Sequence, residues 1–390
     1  MKRIRFVLLL AAVTMLAACG KDHSNIKPAH ELGDFTPSIQ VQRLWTAQVG
    51  RGADEAGMRM RPAFEDNTIY AASADGYMKA IDGTTGRTLW EKTKPWRAEG
   101  DISYSGGPAV SDGVLAVGTL DGHVYTYEAK TGKRLWSTQV DSSILSTPVF
   151  SGDMLLVRTD NGKVTALKRA DGSRVWVYDQ STIPTLSLRG NSNLLVSHGV
   201  VFFGSDSGKL VAIRLDTGKP IWDQELSQQQ GRTSIERLDD SDGNLVLDDA
   251  TLYASAYHGH LLAVDAREGR PLWDHPFSSY AGVALSGSTL VGVDDQSNVW
   301  AWSTDGGGNL WKQDGLSWRW LSTPAVQGNT VVVGDREGYV HWLKLSDGSF
   351  AARTRMGHDA IRSQPLVLDD GRVIIEDASG NISAWQVGKP

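Results

Sequence analysis

The chain has 390 residues, of which 41% are hydrophobic and 22% charged, and it carries 42 glycines, 14 tryptophans and a formal charge of −6. The acidic balance argues against a nucleic-acid backbone as partner, and the apolar content argues against a disordered chain. Abundant glycine beside abundant tryptophan implies many turns and one recurrent aromatic position.

At the N-terminus, Lys2, Arg3 and Arg5 precede an apolar run from Phe6 to Ala18 broken only by Thr14. That run falls short of the roughly 20 residues a membrane-spanning helix needs, and it suits a cleaved secretory signal. It ends in Leu16-Ala17-Ala18-Cys19-Gly20, which resembles the bacterial lipobox, whose cysteine becomes the lipidated first residue of the mature chain. Cys19 is the only cysteine. An unpaired cysteine in a secreted protein needs a reason, and lipidation supplies one. Each buried methylene contributes about 0.8 kcal/mol, so one acyl chain binds a membrane marginally and several anchor it. Gly20 stands where an Asp retains many lipoproteins at the inner membrane, so sorting to the outer membrane is expected. Residues 21–40 show neither strand nor helix periodicity. The expected division is a lipoprotein signal peptide (1–18), a lipidated cysteine with a flexible tether (19–40), and one domain (41–390).

The body is repetitive. Ala80-x-Asp82-x-x-Thr85-Gly86-x-x-Leu89-Trp90 recurs with drift, its glycines at Gly86, Gly132, Gly172, Gly218, Gly269, Gly307 and Gly348. Four residues after each stand Trp90, Trp136, Trp176, Trp222, Trp273 and Trp311, and then Ala352, where the pattern lapses. A period of about 44 residues suits a propeller blade of four short strands. Asp75-Gly76, Asp121-Gly122, Asn161-Gly162, Ser207-Gly208, His258-Gly259, Gln296-Ser297, Glu337-Gly338 and Ser379-Gly380 mark one hairpin turn eight times. In the second unit, strands are expected at 108–111, 114–119, 123–129 and 134–140. The last unit lacks an outer strand, and Gln42-Arg43-Leu44-Trp45 supplies it. The fold expected is therefore all-β, an eight-bladed β-propeller closed by its N-terminal strand. One tryptophan per blade at a fixed outer-strand position implies packing between neighbouring blades. Trp318 and Trp320 break the period, as candidates for a contact surface, with at least one expected in the core.

Signs of chemistry are few. His258-Gly259-His260 reads as a hairpin turn with no third ligand nearby, so no metal site is expected. No Gly-x-Ser-x-Gly, His-Glu-x-x-His or phosphate loop occurs. The Asp-Gly pairs lack the alternating carboxylates of a calcium loop. The repeat resembles that of the quinoprotein alcohol dehydrogenases, which bind pyrroloquinoline quinone and calcium. Those enzymes are longer and carry an adjacent cysteine pair that this chain lacks. A third class, a periplasmic propeller binding peptide or polysaccharide, would call for an aromatic-lined central channel.

The chain is lengthened before two consecutive blades, at Leu186-Ser187-Leu188-Arg189-Gly190 and at Ile235-Glu236-Arg237-Leu238-Asp239-Asp240-Ser241-Asp242. Connections from one blade to the next share a face, so these insertions lie side by side. Apolar anchors, an arginine and a charged rim suit a protein interface. An ion pair from Arg189 to Asp240 or Asp242 that merely orders the loops is the alternative. With the lipobox, the tether and the eight repeats, these segments resemble the BamB family, propeller lipoproteins of the outer-membrane β-barrel assembly machinery (the BAM complex). The resemblance implies a non-catalytic scaffold, lipid-anchored in the outer membrane and facing the periplasm, with no cofactor beyond the lipid on Cys19. It implies contact with the POTRA domains of the barrel insertase BamA through Leu186, Leu188, Arg189, Asp240 and Asp242. Other BAM subunits and unfolded outer-membrane protein clients are further expected partners. Ser241 and Gly243 depart from the family, where an apolar residue and a threonine are more typical.

Overall fold

The structure, a computed structural model, describes residues 27–53, 58, 60–93, 102–179, 192–226 and 243–388. Residues 1–18, read above as a cleaved signal, and Cys19 lie outside the described residues. In the second repeat, Val114–Thr119 and His123–Glu128 bury nearly every side chain, whereas Arg134–Gln139 alternates between exposed and half-buried. Strands covered on both faces by neighbouring sheets read as continuous apolar runs, and an outermost strand that meets water alternates.

Eight four-stranded antiparallel sheets result. Seven are contiguous in sequence: blades 1 to 7 span 63–92, 104–139, 149–178, 195–225, 246–276, 283–313 and 325–355. Strands A to D run outward from a central axis, around which the A strands of neighbouring blades touch. Blade 8 takes strands A to C from Leu366–Val367, Val373–Glu376 and Asn381–Gly388, and strand D from Gln40–Gln48. Gln40 faces Gly388 and Gln48 faces Asn381, so the two ends of the described chain close the ring in one sheet. Eight blades and this closure are what the repeats imply.

The recurrent tryptophan and glycine form one device. Each Trp indole donates to a carbonyl of the following blade: Trp45 to Gly83 at 3.0 Å, Trp90 to Ala129 at 2.8 Å, Trp176 to Leu215 at 2.9 Å. Trp136, Trp222, Trp273 and Trp311 repeat the contact. The ring lies under the next blade's C–D turn, where Gly86 has φ +73° and an added Cβ would stand 2.7 Å from Trp45 Cγ. Glycine is needed there both for the left-handed backbone and for the space the ring fills. The lapse at Ala352 has the same logic. A tryptophan there would pack on the C–D turn of blade 8, and blade 8 has no such turn because its strand D arrives from the other end of the chain. Trp342 and Trp385, both buried with centroids 6.4 Å apart, fill that seam instead.

Described residues of the tether lie against the body. Ser317 accepts from the His30 amide at 2.9 Å, Arg353 donates to the Gly33 carbonyl at 3.1 Å, and Phe35 meets Phe350 at 5.3 Å. The Ser38 amide reaches the Ala351 carbonyl at 2.9 Å before the chain enters blade 8.

Blade 8 also buries Glu376, only 6% exposed at the end of strand B. Burial, with Asp377 beside it, holds this carboxyl well above the ordinary glutamate value of 4.5. The folded chain therefore keeps a proton that the unfolded chain has already released. That contribution to stability is complete below 4.5 and is lost as pH rises through the folded pKa. Glu376→Gln is expected to raise the melting temperature at about pH 8 and to leave it nearly unchanged at about pH 4. Thermal melts across that range check the sign.

Candidate protein-binding face

Alternating strand direction brings the D–A connections and the B–C turns to one face. The turns bond the connections that lead into their own blades: Ala74 N to Gly52 O, Asp160 N to Ser143 O, Asp295 N to Ser278 O and Arg336 N to Arg319 O, all at 2.9–3.0 Å. The two longest connections on this face are 179–194 and 226–245, entering blades 4 and 5. They hold all five expected contact residues. Leu186, Leu188, Arg189, Asp240 and Asp242 lie outside the described residues; the roots of both loops lie within them.

The first root is fixed by buried charge. Arg158, at the end of strand B in blade 3, is 1% exposed and pairs with Asp206 at 2.8 Å, itself 7% exposed. The same guanidinium donates to the Ser192 carbonyl at 3.1 Å and to its hydroxyl at 2.8 Å. Ser192 Oγ in turn accepts from the Gly204 amide at 2.9 Å. The loop thus rejoins the body at a residue tied to blades 3 and 4 together. Burial holds the Asp206 carboxyl above its ordinary value although Arg158 opposes it, and Asp160 adds to the rise. Arg158 Nε and Asp160 Oδ1 are buried without a hydrogen-bond partner.

Packing fixes the second root. Leu226 and Leu245, which bracket the loop, are buried in one cluster with blades 4 and 5. Leu226 N donates to Gly208 O at 2.9 Å, and its carbonyl accepts from His260 N at 3.1 Å. Gly243 lies so close to blade 6 that an added Cβ would stand 2.6 Å from Gly282 Cα. A glycine at this departure from the family pattern therefore meets a local steric demand.

The same face carries Trp318 and Trp320, and here the expectation that one of them is core fails. Trp318 is half-buried under Lys27, 4.3 Å from its ring centroid, and Trp320 is 51% exposed. The buried residue of this Ser-Trp-Arg-Trp segment is Arg319. It pairs with Asp335 at 2.7 Å and Glu337 at 2.6 Å and donates to the His30 carbonyl at 3.0 Å, so it also clamps the tether. His341 Nε2 reaches the same Asp335 carboxylate at 3.1 Å. Burial works to raise Asp335, yet His341 and Arg319 hold it below its ordinary value; burial pulls His341 down against the pull of Asp335. Both tryptophans have positive φ, +62° and +53°, which turns their rings outward from a backbone the arginine network fixes.

A cavity of about 560 Å³ occupies the central channel. Most of the residues around it are aliphatic, yet the surface they present is more polar than apolar, with Asn193, Asn244, Gln364 and Arg61 as polar members and neither a carboxylate nor an aromatic ring among its lining residues. No cluster of three or more His, Cys, Asp or Glu stands together among the described residues. A quinone cofactor with calcium needs clustered acids and a stacking surface, and these side chains do not fit that demand. The lining of this cavity does not fit an aromatic-lined saccharide site either.

The buried pairs Arg158–Asp206 and Arg319–Asp335 were not singled out in the sequence. One signal was present for the first: strand pairing places Arg158 where other blades carry Gly118, Gly204 and Gly334.

Comparison with known proteins agrees with this architecture. A family model described as outer membrane protein assembly factor BamB matches residues 91–313 and 303–387. The chain is 38% identical over 403 residues to the outer membrane protein assembly factor BamB of Xanthomonas campestris pv. campestris, covering 100% of this chain and 98% of that relative. It is similar to the crystal structure of BamB from Moraxella catarrhalis, with a TM-score of 0.80 and 25% identity over 89% of this chain and 100% of that one. A quinohemoprotein alcohol dehydrogenase from Pseudomonas putida, with a TM-score of 0.71 and 13% identity over 91% of this chain and 77% of its own, shares the fold alone. The chain belongs to the BamB family of outer-membrane protein assembly factors.

Proposed function

We propose that this chain is a non-catalytic scaffold of the outer-membrane β-barrel assembly machinery, and that it holds the POTRA domains of the insertase BamA on the face of its D–A connections. Leu186, Leu188, Arg189, Asp240 and Asp242 form the contact. Cys19 carries the lipid that keeps the propeller at the outer membrane, facing the periplasm. Other BAM subunits assemble around this pairing, and unfolded clients pass near it.

The observation that supports this reading most is the seating of the two longest connections. They enter consecutive blades on one face, and each rejoins the body at a rigid root. A rigid scaffold that fixes both ends of two long connections suits a specific interface, because it lowers the ordering cost that binding has to meet. Exposed Trp320 on the same face extends the surface with the residue type most enriched at interface hot spots.

Capture on immobilised POTRA domains tests the assignment. The wild-type chain is expected to be retained, and Arg189→Ala/Asp240→Ala to lose roughly tenfold or more in apparent affinity, since truncating buried hydrogen-bonded charges at an interface costs about 2–5 kcal/mol. Retention of the double variant at wild-type strength would remove these residues from the interface.

A further inference from the structure

Strand register identifies equivalent positions around the axis. Ala63 faces Tyr70, Leu195 faces Phe202, Val246 faces Tyr253 and Leu366 faces Ile374, the same pair in blades 1, 4, 5 and 8. Two residues ahead of each stand Arg61, Asn193, Asn244 and Gln364, and all four line the central cavity. The three amides bond across it. Asn193 Nδ2 donates to Asn244 Oδ1 at 3.2 Å, Asn244 Nδ2 to Gln364 Oε1 at 3.0 Å, and Gln364 Nε2 to the Pro324 carbonyl at 2.8 Å. Each amide keeps a second N–H, since a carboxamide has two.

Arg61 is the exception in this ring. Its Nε is buried with no hydrogen-bond partner, and no carboxylate of the described residues pairs with it. Burial alone lowers the guanidinium to about 10, with no neighbouring charge contributing. A desolvated cation without a counter-charge works against the fold. Arg158 and Arg319, which are more fully buried, meet that cost with Asp206 and Asp335. A charge with no counter-charge among the described residues, in a cavity beside spare amide donors, suits an anion that comes from outside.

We infer that the central channel is a binding site for a small monocarboxylate, its carboxylate held by Arg61 and the rest of the molecule lying beside the amides of Asn193, Asn244 and Gln364. The charge fits a monoanion, which neutralises Arg61, whereas a phosphate dianion would leave a net negative charge in a cavity with no second cation among its lining residues. A planar guanidinium also matches a carboxylate with two parallel hydrogen bonds. The cavity volume is in the range that holds small ligands. Two sources offer this chemistry, the C-terminus of a peptide and a free aliphatic acid. The site is separate from the loop face and does not depend on the partner assigned there.

Titration calorimetry on the purified full-length protein decides it, with acetyl-Val-Leu, its C-terminal amide, octanoate and inorganic phosphate as probes. Saturable binding of the peptide acid or of octanoate is expected, with the responding probe naming the source, and the amide and phosphate should bind roughly tenfold more weakly or not at all. Arg61→Gln should lose the acid by a similar factor while its ligand-free melting temperature equals or exceeds wild type, because the substitution removes a half-buried charge with no carboxylate partner among the described residues. Equal binding of acid and amide, equal binding of phosphate, or no binding of either acid at about 10 mM would overturn the inference. So would a ligand-free Arg61→Gln protein that melts below wild type, since that marks a structural role.

Discussion

Arg158→Leu lowers the stability of the propeller by about 3–5 kcal/mol, the usual cost of removing one partner from a buried ion pair. The loss arises less from the missing attraction than from what remains. Asp206 keeps its carboxylate in a site 7% exposed with Asp160 nearby, and the Ser192 carbonyl and hydroxyl lose their donor. The double replacement Arg158→Leu/Asp206→Leu should recover most of the loss, because removing both charges removes the desolvation penalty with the pair. Urea denaturation of the wild-type, single and double variants checks this. A single variant as stable as wild type would show that the pair is not structural. Since Ser192 is where the 179–194 connection rejoins the body, the single variant should also bind partner more weakly under conditions where it remains folded.

The second large effect concerns ring closure. Trp45→Ala is expected to cost about 3–5 kcal/mol, the range for truncating a buried aromatic. A chain beginning at residue 50 should lose its cooperative melt altogether. Blades 1 to 7 each take their four strands from one continuous segment, whereas strand D of blade 8 arrives from the other end of the chain and joins its blade by pairing along Asn381–Gly388. Trp45 then carries the seam to blade 1 through Gly83 and Gly86, helped by Lys79 Nζ on the Gln48 carbonyl at 2.8 Å. Without Gln40–Gln48, strand C of blade 8 becomes an open edge, a template for pairing with other chains. Loss of the sharp thermal transition together with aggregation is the expected readout. A truncated chain that melts cooperatively near the wild-type temperature would show that closure contributes little.

Much of this fold is legible in the sequence because the repeat encodes a contact and not just a strand pattern. The glycine of each C–D turn and the tryptophan of the preceding blade constrain each other sterically, so neither drifts freely, and counting them counts blades. The same contact makes Ala352 intelligible, though only once the absent C–D turn of blade 8 is seen. Pairings between repeats are harder to read. Arg158 and Asp206 are 48 residues apart, and nothing local joins them except an arginine at a position where three other repeats carry glycine. In Ser-Trp-Arg-Trp the aromatic residues draw notice, yet the arginine is the buried member, because positive φ at both tryptophans turns the expected orientation over. Arg61 has no motif at all; only strand register shows it beside Asn193, Asn244 and Gln364. The insertions before blades 4 and 5 are visible as extra length. Their sequence falls outside the repeat, so the repeat cannot specify their geometry.

The account rests most heavily on the two loops as the partner-binding surface. The most direct measurement replaces 180–191 and 227–242 together with short Gly-Ser connections and follows co-purification of the barrel insertase after gentle detergent extraction. The account predicts a variant with a near-wild-type melting temperature, since the described blades do not depend on the loop tips, and with the insertase absent from the eluate. A folded loop-less variant that still brings down the insertase at the wild-type level would contradict it.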